Sequence, residues 1–413
     1  MATKGGLLSP ESTYGESTQR SRLHRLRRWR RALCALLLVG ALAVLMQAAS
    51  KANIVLYTLD STESDVFNEG IKRCYEARSR SHNRVAAGNR LNRRWNPISG
   101  QRGDIVIQNA TLFDGDSTLD GTFDIHFSSG VVRSVSPTRL NHPTPEGARV
   151  INVHRRFITP GLVDMHSHHL LLPFPQLPAT NDVNERPLLG PITPFVRAID
   201  GFKPYDPAIK IIASGGVTSS LVLPGSANII GGEAYMVKNL PLSGAAGEPV
   251  VEELLLEYGL PEKDRQRYLK MACGENPKRV YGNTRLGLTW LLRKRLEEAR
   301  ELHERQTAWC RGAFEIQESS FAKAHQVTAF IRNYGAHPQS FELETLVALT
   351  RGELNVNVHC YEPQDLERML SVLHEFGVRP QAFHHALEAW QVPELLKHLE
   401  ELVTQSVHDD GFS

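Results

Sequence analysis

The sequence predicts an α/β protein: a parallel sheet covered by helices, preceded by a small β-rich unit and an apolar N-terminal helix. Three observations predict this class. Strand-like and helix-like patterns alternate beyond Pro160, short β-branched segments separated by Gly, Asp and Pro fill residues 104–158, and an uninterrupted apolar run follows an arginine-rich stretch. A chain of 413 residues, 41% hydrophobic and 22% charged, is long enough for two or more packed units.

The apolar run "ALCALLLVGALAVLMQAA" covers residues 32–49 and approaches the roughly 20 residues that cross a bilayer as a helix. Because the arginines precede it, we expect residues 1–31 to be a disordered basic cytoplasmic tail and residues 32–49 a single-pass signal anchor. The C-terminal domain would then be lumenal or extracellular. The alternative is a secreted protein released by signal cleavage, since "MQAAS" offers small residues. Residues 50–103 are expected to form an irregular linker.

The charge distribution argues against a nucleic-acid partner. Residues 1–51 hold nine of the 47 basic and two of the 45 acidic residues, so the remainder has 38 basic and 43 acidic residues. A slightly acidic body does not provide a nucleic-acid-binding face. Cys34 lies in the apolar run, and the other four cysteines can form one or two disulfides without implying a framework.

The β-rich unit and the alternating region differ in pattern. Residues 104–158 contain "DIVIQNATLFDG", "FDIHFSSGVVRSVSP" and "ARVINVHRRFITPG", which predict a small antiparallel sheet. The strands predicted farther along are "LVDMH", "VTSSLVLPG", "YLKMACGEN", "LNVNVHCY" and "RPQAFHHA", with "GEAYMVKN" as a further candidate. Amphipathic helices lie between them, including "LTWLLRKRLEEARELHERQTAW" and "QDLERMLSVLHEFG". In parallel α/β architectures, reactive groups gather at the carboxyl ends of the strands.

Histidines occupy those strand ends. In "GLVDMHSHHLLLP", His166 and His168 point to the same face of a strand, so both imidazoles can hold one ion. Two later predicted strands end in His359 and in the pair His384 and His385. Neutral imidazole nitrogen suits zinc and similar metals, and a catalytic zinc site combines three protein ligands with an open position. The pattern therefore predicts a metal centre. Ordinary core histidines are the alternative.

Four motifs in order resemble the amidohydrolase superfamily of metal-dependent hydrolases, in its imidazolonepropionase-like branch. They are "ITPGLVDMHSHH", "GGVTSSLVLPGSANIIGG", "HCYEPQDLERMLSVLHEFG" and "HHALEAWQVPELL". The resemblance implies a (β/α)8 TIM-like barrel over residues 159–413, preceded by a composite β-sandwich over residues 104–158. We count about six barrel strands, and no eighth strand carrying an Asp. The sequence therefore predicts an incomplete barrel, either truncated at the C-terminus or belonging to a membrane-tethered, non-catalytic binding relative.

The resemblance also implies roles for particular residues. Metal ligands would be His166, His168, His359 and His385, with His359 and His385 also catalytic and His384 a neighbour on the opposite face. The family's bridging anion, a carboxylated Lys or a Glu on the fourth strand, is expected to be Glu275 rather than Lys270. Further residues near the substrate would be Asn228, Gly232 and Tyr361. The cofactor would be one or two divalent ions, most simply zinc.

The resulting functional prediction is metal-dependent hydrolysis of a carbon–nitrogen bond in a small-molecule amide or cyclic amide. A carbohydrate N-deacetylase-like or ester-cleaving enzyme is the alternative within the same chemistry. The other expected partner is the membrane, through the N-terminal helix, and assembly into a homo-oligomer is left open.

Overall fold

The computed structural model of the chain describes residues 37–47, 61–79, 104–128, 131–138, 143–185, 187–240, 251–258, 260–319 and 323–397. The chain forms two compact units. The first comprises residues 1–72 and 311–337, and the second comprises residues 73–310 and 338–413.

The described part of the first unit is helical. It contains α1 (residues 37–47), most of α2 (Ser61–Ser79), the end of α5 (Arg285–Glu318) and α6 (Lys323–Tyr334). Phe67 on α2 packs edge-to-face on Phe330 of α6, with ring centroids 6.0 Å apart. Arg332 donates to Glu63 over 2.9 Å.

Helix α2 lies in the range where the sequence predicts an irregular linker. It forms because Phe67, Ile71 and Cys74 recur at helical spacing and are all buried. Within the described ranges no helix has both the length and the hydrophobicity that a membrane crossing requires. Of the predicted span, residues 32–36 and 48–49 lie outside the described residues, as does the predicted tail of residues 1–31.

The second unit begins with a five-stranded sheet. Its strands are β1 (Ile105–Leu112), β2 (Phe123–Ser128), β3 (Val131–Pro137), β4 (Arg149–Asn152) and β5 (Phe157–Ile158). Strands β1, β2 and β3 form an antiparallel meander, as predicted. Strands β4 and β5 instead run parallel to β1. The connection from Pro137 to Arg149 returns the chain to the starting end of the sheet, which a parallel neighbour requires.

A second sheet has six strands within the described ranges. They are β6 (Leu162–Ser167), β7 (Val217–Val222), β8 (Ile230–Lys238), β9 (Arg267–Ala272), β10 (Leu354–Cys360) and β11 (Pro380–His385), in sequential order across the sheet. All six predicted strands are present. The prediction of an all-parallel sheet is wrong for β8, which runs antiparallel to β7 and β9. A short loop joins β7 to β8, and so short a connection suits an antiparallel pair.

Helices cover the outer face of this sheet. They are α3 (Ala208–Ser214), α4 (Glu275–Tyr281), α5, α7 (Glu344–Thr350) and α8 (Pro363–Glu375). The outward side chains of β9 and β10 form one apolar core with α5, α7 and α8, including Leu269, Met271, Val356, Val358, Leu296, Leu346 and Leu366. The alternate residues, among them Lys270 and Asn357, face the opposite side.

The sheet curves into a nearly closed, barrel-like form. His166 on the edge strand β6 and His384 on the other edge strand β11 have ring centroids only 4.6 Å apart. The curvature therefore brings the carboxyl ends of distant strands to one place.

Two disulfides, Cys74–Cys310 and Cys273–Cys360, lie in the second unit, matching the upper number that the cysteine count allows.

Candidate active site

Five histidine rings meet where β6, β10 and β11 end. The ring centroids of His166 lie 5.0 Å from His168, 4.6 Å from His384 and 4.8 Å from His385. His359, at the end of β10, lies 4.7 Å from His385. The structure thus brings together all four histidines that the sequence predicts as metal ligands, and adds His384.

The geometry of the His-x-His pair fits a single ion. The Nδ1 atom of His168 lies 2.8 Å from the carbonyl oxygen of Leu223, which can only accept, so Nδ1 carries the proton and Nε2 keeps its lone pair. The Nε2 atoms of His166 and His168 are 3.2 Å apart. Two nitrogen ligands of one tetrahedral zinc, each bonded at about 2.0–2.1 Å, are about 3.3 Å apart. The observed separation is close to that value.

The two histidines of β11 both face the cluster, which corrects the prediction that His384 points away. His384 is buried, and its Nε2 lies 3.0 Å from Oδ1 of Asn357. The backbone of His385 is left-handed, with φ of 63°, so its side chain does not follow the strand alternation. The ring of His385 is exposed and lies 5.3 Å from the ring of Tyr361, a predicted substrate contact.

Lys270 lies on the inner face of β9 with no solvent exposure, and its Nζ has no hydrogen-bond partner within the described part of the chain. Burial lowers the pKa of Lys270 to about 7, against a weaker opposing effect of the Glu185 carboxylate. Glu275, the predicted bridging ligand, instead begins α4, and its Oε1 lies 3.7 Å from Nε2 of His359. The lysine, rather than the glutamate, therefore occupies the interior of the sheet.

Burial and Lys270 together keep the imidazoles neutral. Burial is the larger cause, and it lowers the pKa of His166 to about 2, of His359 to about 3 and of His384 to about 4. The positive charge of Lys270 adds to each of these effects and also lowers the pKa of His168 and His385, again after burial. Neutral rings present the lone pairs that a metal ion requires.

The segment after the His-x-His pair is held by Asp206, which the sequence analysis did not single out. This buried carboxylate accepts three backbone N–H groups, from Leu170 at 2.9 Å, Phe174 at 3.0 Å and Ala208 at 2.9 Å. The short "YDPA" stretch before α3 was the available signal, because Asp before Pro favours a cap or turn. Asp206 thereby fixes the chain that leaves His168.

The two residues predicted to shape the substrate loop have structural contacts. The buried Asn228 accepts a hydrogen bond from the Tyr281 hydroxyl at 2.6 Å and donates to Thr193 at 3.2 Å. Gly232 has φ of 124° and lies against the backbone of Val196, leaving no room for a Cβ. Both residues hold the connection of residues 187–201 along β8.

A cleft of about 650 Å³, within the range of ligand pockets, opens beside Glu185. Its lining includes Leu171, Asn184, Glu185, Leu189 and Pro224. The Glu185 carboxylate accepts the backbone N–H of Ser226 at 2.9 Å, and its charge partly opposes the lowering of the pKa of Lys270 and His168 that burial causes. Glu185 therefore links this cleft electrostatically to His168, while none of the five histidines lines the cleft.

Carboxylates form a separate group on the α4 side. Ligand atoms of Glu275, Glu362 and Asp365 lie within 4.8 Å of one another, a condition that no three of the histidines meet. Arg285 pairs with Glu362 at 3.0 Å and with Asp365 at 2.8 Å. Arg285 thus pairs with two of these three carboxylates, whereas the five histidines of the cluster include no anionic side chain among them.

The second unit thus combines a nearly closed, barrel-like α/β sheet with histidines at the ends of its strands. No family model matches the chain. Among curated proteins, the amidohydrolase tasK of Hapsidospora irregularis is 37% identical over 354 residues, covering 80% of this chain and 34% of that protein. Among solved structures, the crystal structure of an amidohydrolase from Thermotoga maritima MSB8 has a TM-score of 0.54 and 27% identity, and the match covers 71% of this chain and 67% of that one.

Both relatives carry the same family name, which confirms the resemblance found in the motifs. Over most of its length the chain is similar to proteins named as amidohydrolases. It spans about a third of the length of the curated relative it matches. Membership of the imidazolonepropionase-like branch stays a prediction.

Proposed function

We propose that this chain is a metal-dependent hydrolase that cleaves a carbon–nitrogen bond of a small-molecule amide or cyclic amide at the histidine cluster. The observation that carries the proposal is the convergence of five neutral imidazoles from three strands, in a chain similar to proteins named as amidohydrolases. Ordinary core histidines would not need to collect around a buried, unpaired lysine.

The proposed ligands are His166, His168, His359 and His385, with His384 adjacent. The lone pair left on Nε2 of His168 and the 3.2 Å separation from Nε2 of His166 support an ion such as zinc between the first two. When bound, a divalent ion lowers the pKa of water from about 15.7 to about 7 and polarises the carbonyl under attack.

We propose Lys270, rather than Glu275, as the bridging residue on the fourth barrel strand. A lysine whose pKa is lowered to about 7 by burial is half neutral at that pH, so its Nζ lone pair can attack carbon dioxide. The new N–C bond and the loss of one proton from nitrogen leave a carbamate anion. That anion would balance the positive charge of a metal in a cluster that otherwise contains only imidazoles.

The remaining residues would position the substrate. His385 is the exposed member of the cluster, and the ring of Tyr361 beside it can contact the substrate. The cleft beside Glu185 can hold the rest of a small molecule. Asp206 keeps the His-x-His segment in place throughout.

The test is an activity screen of the full chain loaded with zinc, manganese or cobalt, against N-acyl compounds, cyclic imides and acetylated sugars. Hydrolysis of an amide that is lost in the His166→Ala/His168→Ala variant supports the proposal. Cleavage of esters alone would favour the alternative of an ester-cleaving enzyme. Metal binding without turnover of any substrate would favour a non-catalytic binding relative.

We also propose that the second unit lies in an oxidising compartment, behind a single-pass anchor at residues 32–49. Its two disulfides, Cys74–Cys310 and Cys273–Cys360, support this placement, because such bonds persist mainly in lumenal and extracellular proteins. Protease protection of the full chain in intact microsomes tests it. Digestion of residues 104–397 without detergent would contradict it.

A further inference from the structure

The first turn of α4 faces one nitrogen of His359. Nε2 of this ring lies 3.0 Å from Nδ2 of Asn276 and 3.7 Å from Oε1 of Glu275. The same Asn276 amide nitrogen donates to Oγ of Ser226 at 2.9 Å, while Arg279 donates to Oδ1 of Asn276 at 3.2 Å. Because Arg279 can only donate, it fixes the amide with its nitrogen toward the histidine.

This arrangement determines the tautomer of His359 in the absence of an ion. With Asn276 donating, Nε2 holds a lone pair and Nδ1 holds the proton. Nδ1 of His359 is buried and has no hydrogen-bond partner among the described residues. Both carboxylate oxygens of Glu275 are likewise buried without a partner there. Unsatisfied buried groups of this kind each cost stability and call for an explanation.

A single change gives Nδ1 of His359 a partner and one oxygen of Glu275 a donor. If a cation binds at Nδ1, that nitrogen loses its proton, and the neutral ring must carry a proton on Nε2 instead. Nε2 then needs an acceptor and can no longer accept from Asn276, so the ring would shift from Asn276 toward Glu275, whose Oε1 lies 3.7 Å away. Asn276 keeps its hydrogen bond to Ser226. Solvent exchanges the protons, so the ring keeps one N–H throughout.

We infer that Glu275 is a positioning residue, not a metal ligand: it accepts the Nε2 proton of His359 when His359 ligates the metal through Nδ1. This inference rests on the proposed function. A carboxylate that accepts the N–H of the ring nitrogen not bound to the metal fixes the orientation of the imidazole and raises its basicity. The role differs from the bridging role that the sequence predicts for Glu275.

Three variants of the full chain separate these roles. Glu275→Gln keeps an oxygen that can accept from Nε2 but removes the charge, and an amide oxygen is a poor substitute for a carboxylate bound to zinc. Glu275→Met has similar length and no acceptor. Glu362→Gln is the matched control, because Glu362 belongs to the same carboxylate group and pairs with Arg285 rather than with His359.

Two readouts test the inference. Zinc affinity, measured by competition with a chelator, should fall about 10–100-fold in Glu275→Met and by less than about threefold in Glu275→Gln and Glu362→Gln. Nitrogen-15 NMR of histidine-labelled protein should show His359 protonated at Nδ1 without metal and at Nε2 with zinc. Circular dichroism checks that each variant is folded.

Each remaining outcome overturns the inference. Equal losses of zinc affinity in Glu275→Gln and Glu275→Met would identify Glu275 as a metal ligand. Wild-type zinc affinity in Glu275→Met would show that Glu275 has no role in metal binding. A proton that stays on Nδ1 in the zinc-loaded protein would contradict the geometry. A wild-type chain that binds no zinc defeats the proposed function as well, whereas normal zinc binding with unaffected variants defeats this inference alone.

Discussion

Replacing Lys270 by methionine should stabilise the metal-free protein at neutral pH. A methionine has a similar length and needs no hydrogen bond, whereas the lysine ammonium is fully buried without a partner among the described residues. Stabilisation by removal of a residue is expected where that residue serves the site rather than the fold.

The magnitude follows from the lowered pKa. The unfolded chain binds a proton at Lys270 up to a pKa near 10.5, and the folded chain only up to about 7. Between these values the unfolded state holds more protons, so the free energy of unfolding rises with pH. The difference corresponds to a penalty of about 4 kcal/mol near pH 7, falling to about 2 kcal/mol near pH 9.

Denaturant unfolding in buffer free of carbon dioxide and metal measures both the gain in stability and its dependence on pH. Lys270→Met should unfold at a higher denaturant concentration near pH 7, and its advantage should shrink by about 2 kcal/mol near pH 9. The exposed Lys278, replaced in the same way, is the control and should change little. A Lys270→Met protein no more stable than wild type, or an advantage independent of pH, would refute the reasoning.

Three further predictions follow from the same geometry. Asp206→Ala leaves three backbone N–H groups without their acceptor and should lower the free energy of unfolding by about 3–5 kcal/mol. A loss below about 1 kcal/mol in urea unfolding would show that the loop does not depend on it. Gly225→Ala places a Cβ on the Glu185 carboxylate and should cost about 1–3 kcal/mol, a cost that Glu185→Ala in the same chain should relieve. Equal losses in the single and double variants would exclude that contact. Finally, burial lowers the pKa of His166, His359 and His384 below the usual 6.5, so the metal-free protein should lose stability as the pH falls below 6.5. Stability that is constant from about pH 7 to pH 5 would contradict this.

The strands and the histidine cluster could be predicted because both depend on local patterns. The alternation in "LVDMHSHH" and the strand ends at His359 and His385 are properties of short segments, and parallel strands bring their carboxyl ends to one edge. The direction of β8 could not be predicted in this way, since its neighbours are set by tertiary pairing and not by its own sequence.

The choice between Lys270 and Glu275 required the register of β9. Residues on one strand alternate between faces, and the sequence alone does not say which face of "YLKMACGEN" is interior or where the strand stops. The orientation of His384 and His385 depended on a left-handed backbone at His385, which residue type does not disclose. The contacts of Asp206 and Asn276 join segments far apart in the chain, so no local pattern indicates them.

Metal analysis of the purified full chain tests most directly whether the histidines bind a common divalent ion. We expect one or two divalent ions per chain, with X-ray absorption showing nitrogen neighbours at about 2.0–2.1 Å for zinc, and loss of the metal in His166→Ala/His168→Ala. A wild-type chain that holds no divalent ion after incubation with zinc, iron or manganese, or one whose metal content is unchanged in that variant, would contradict it.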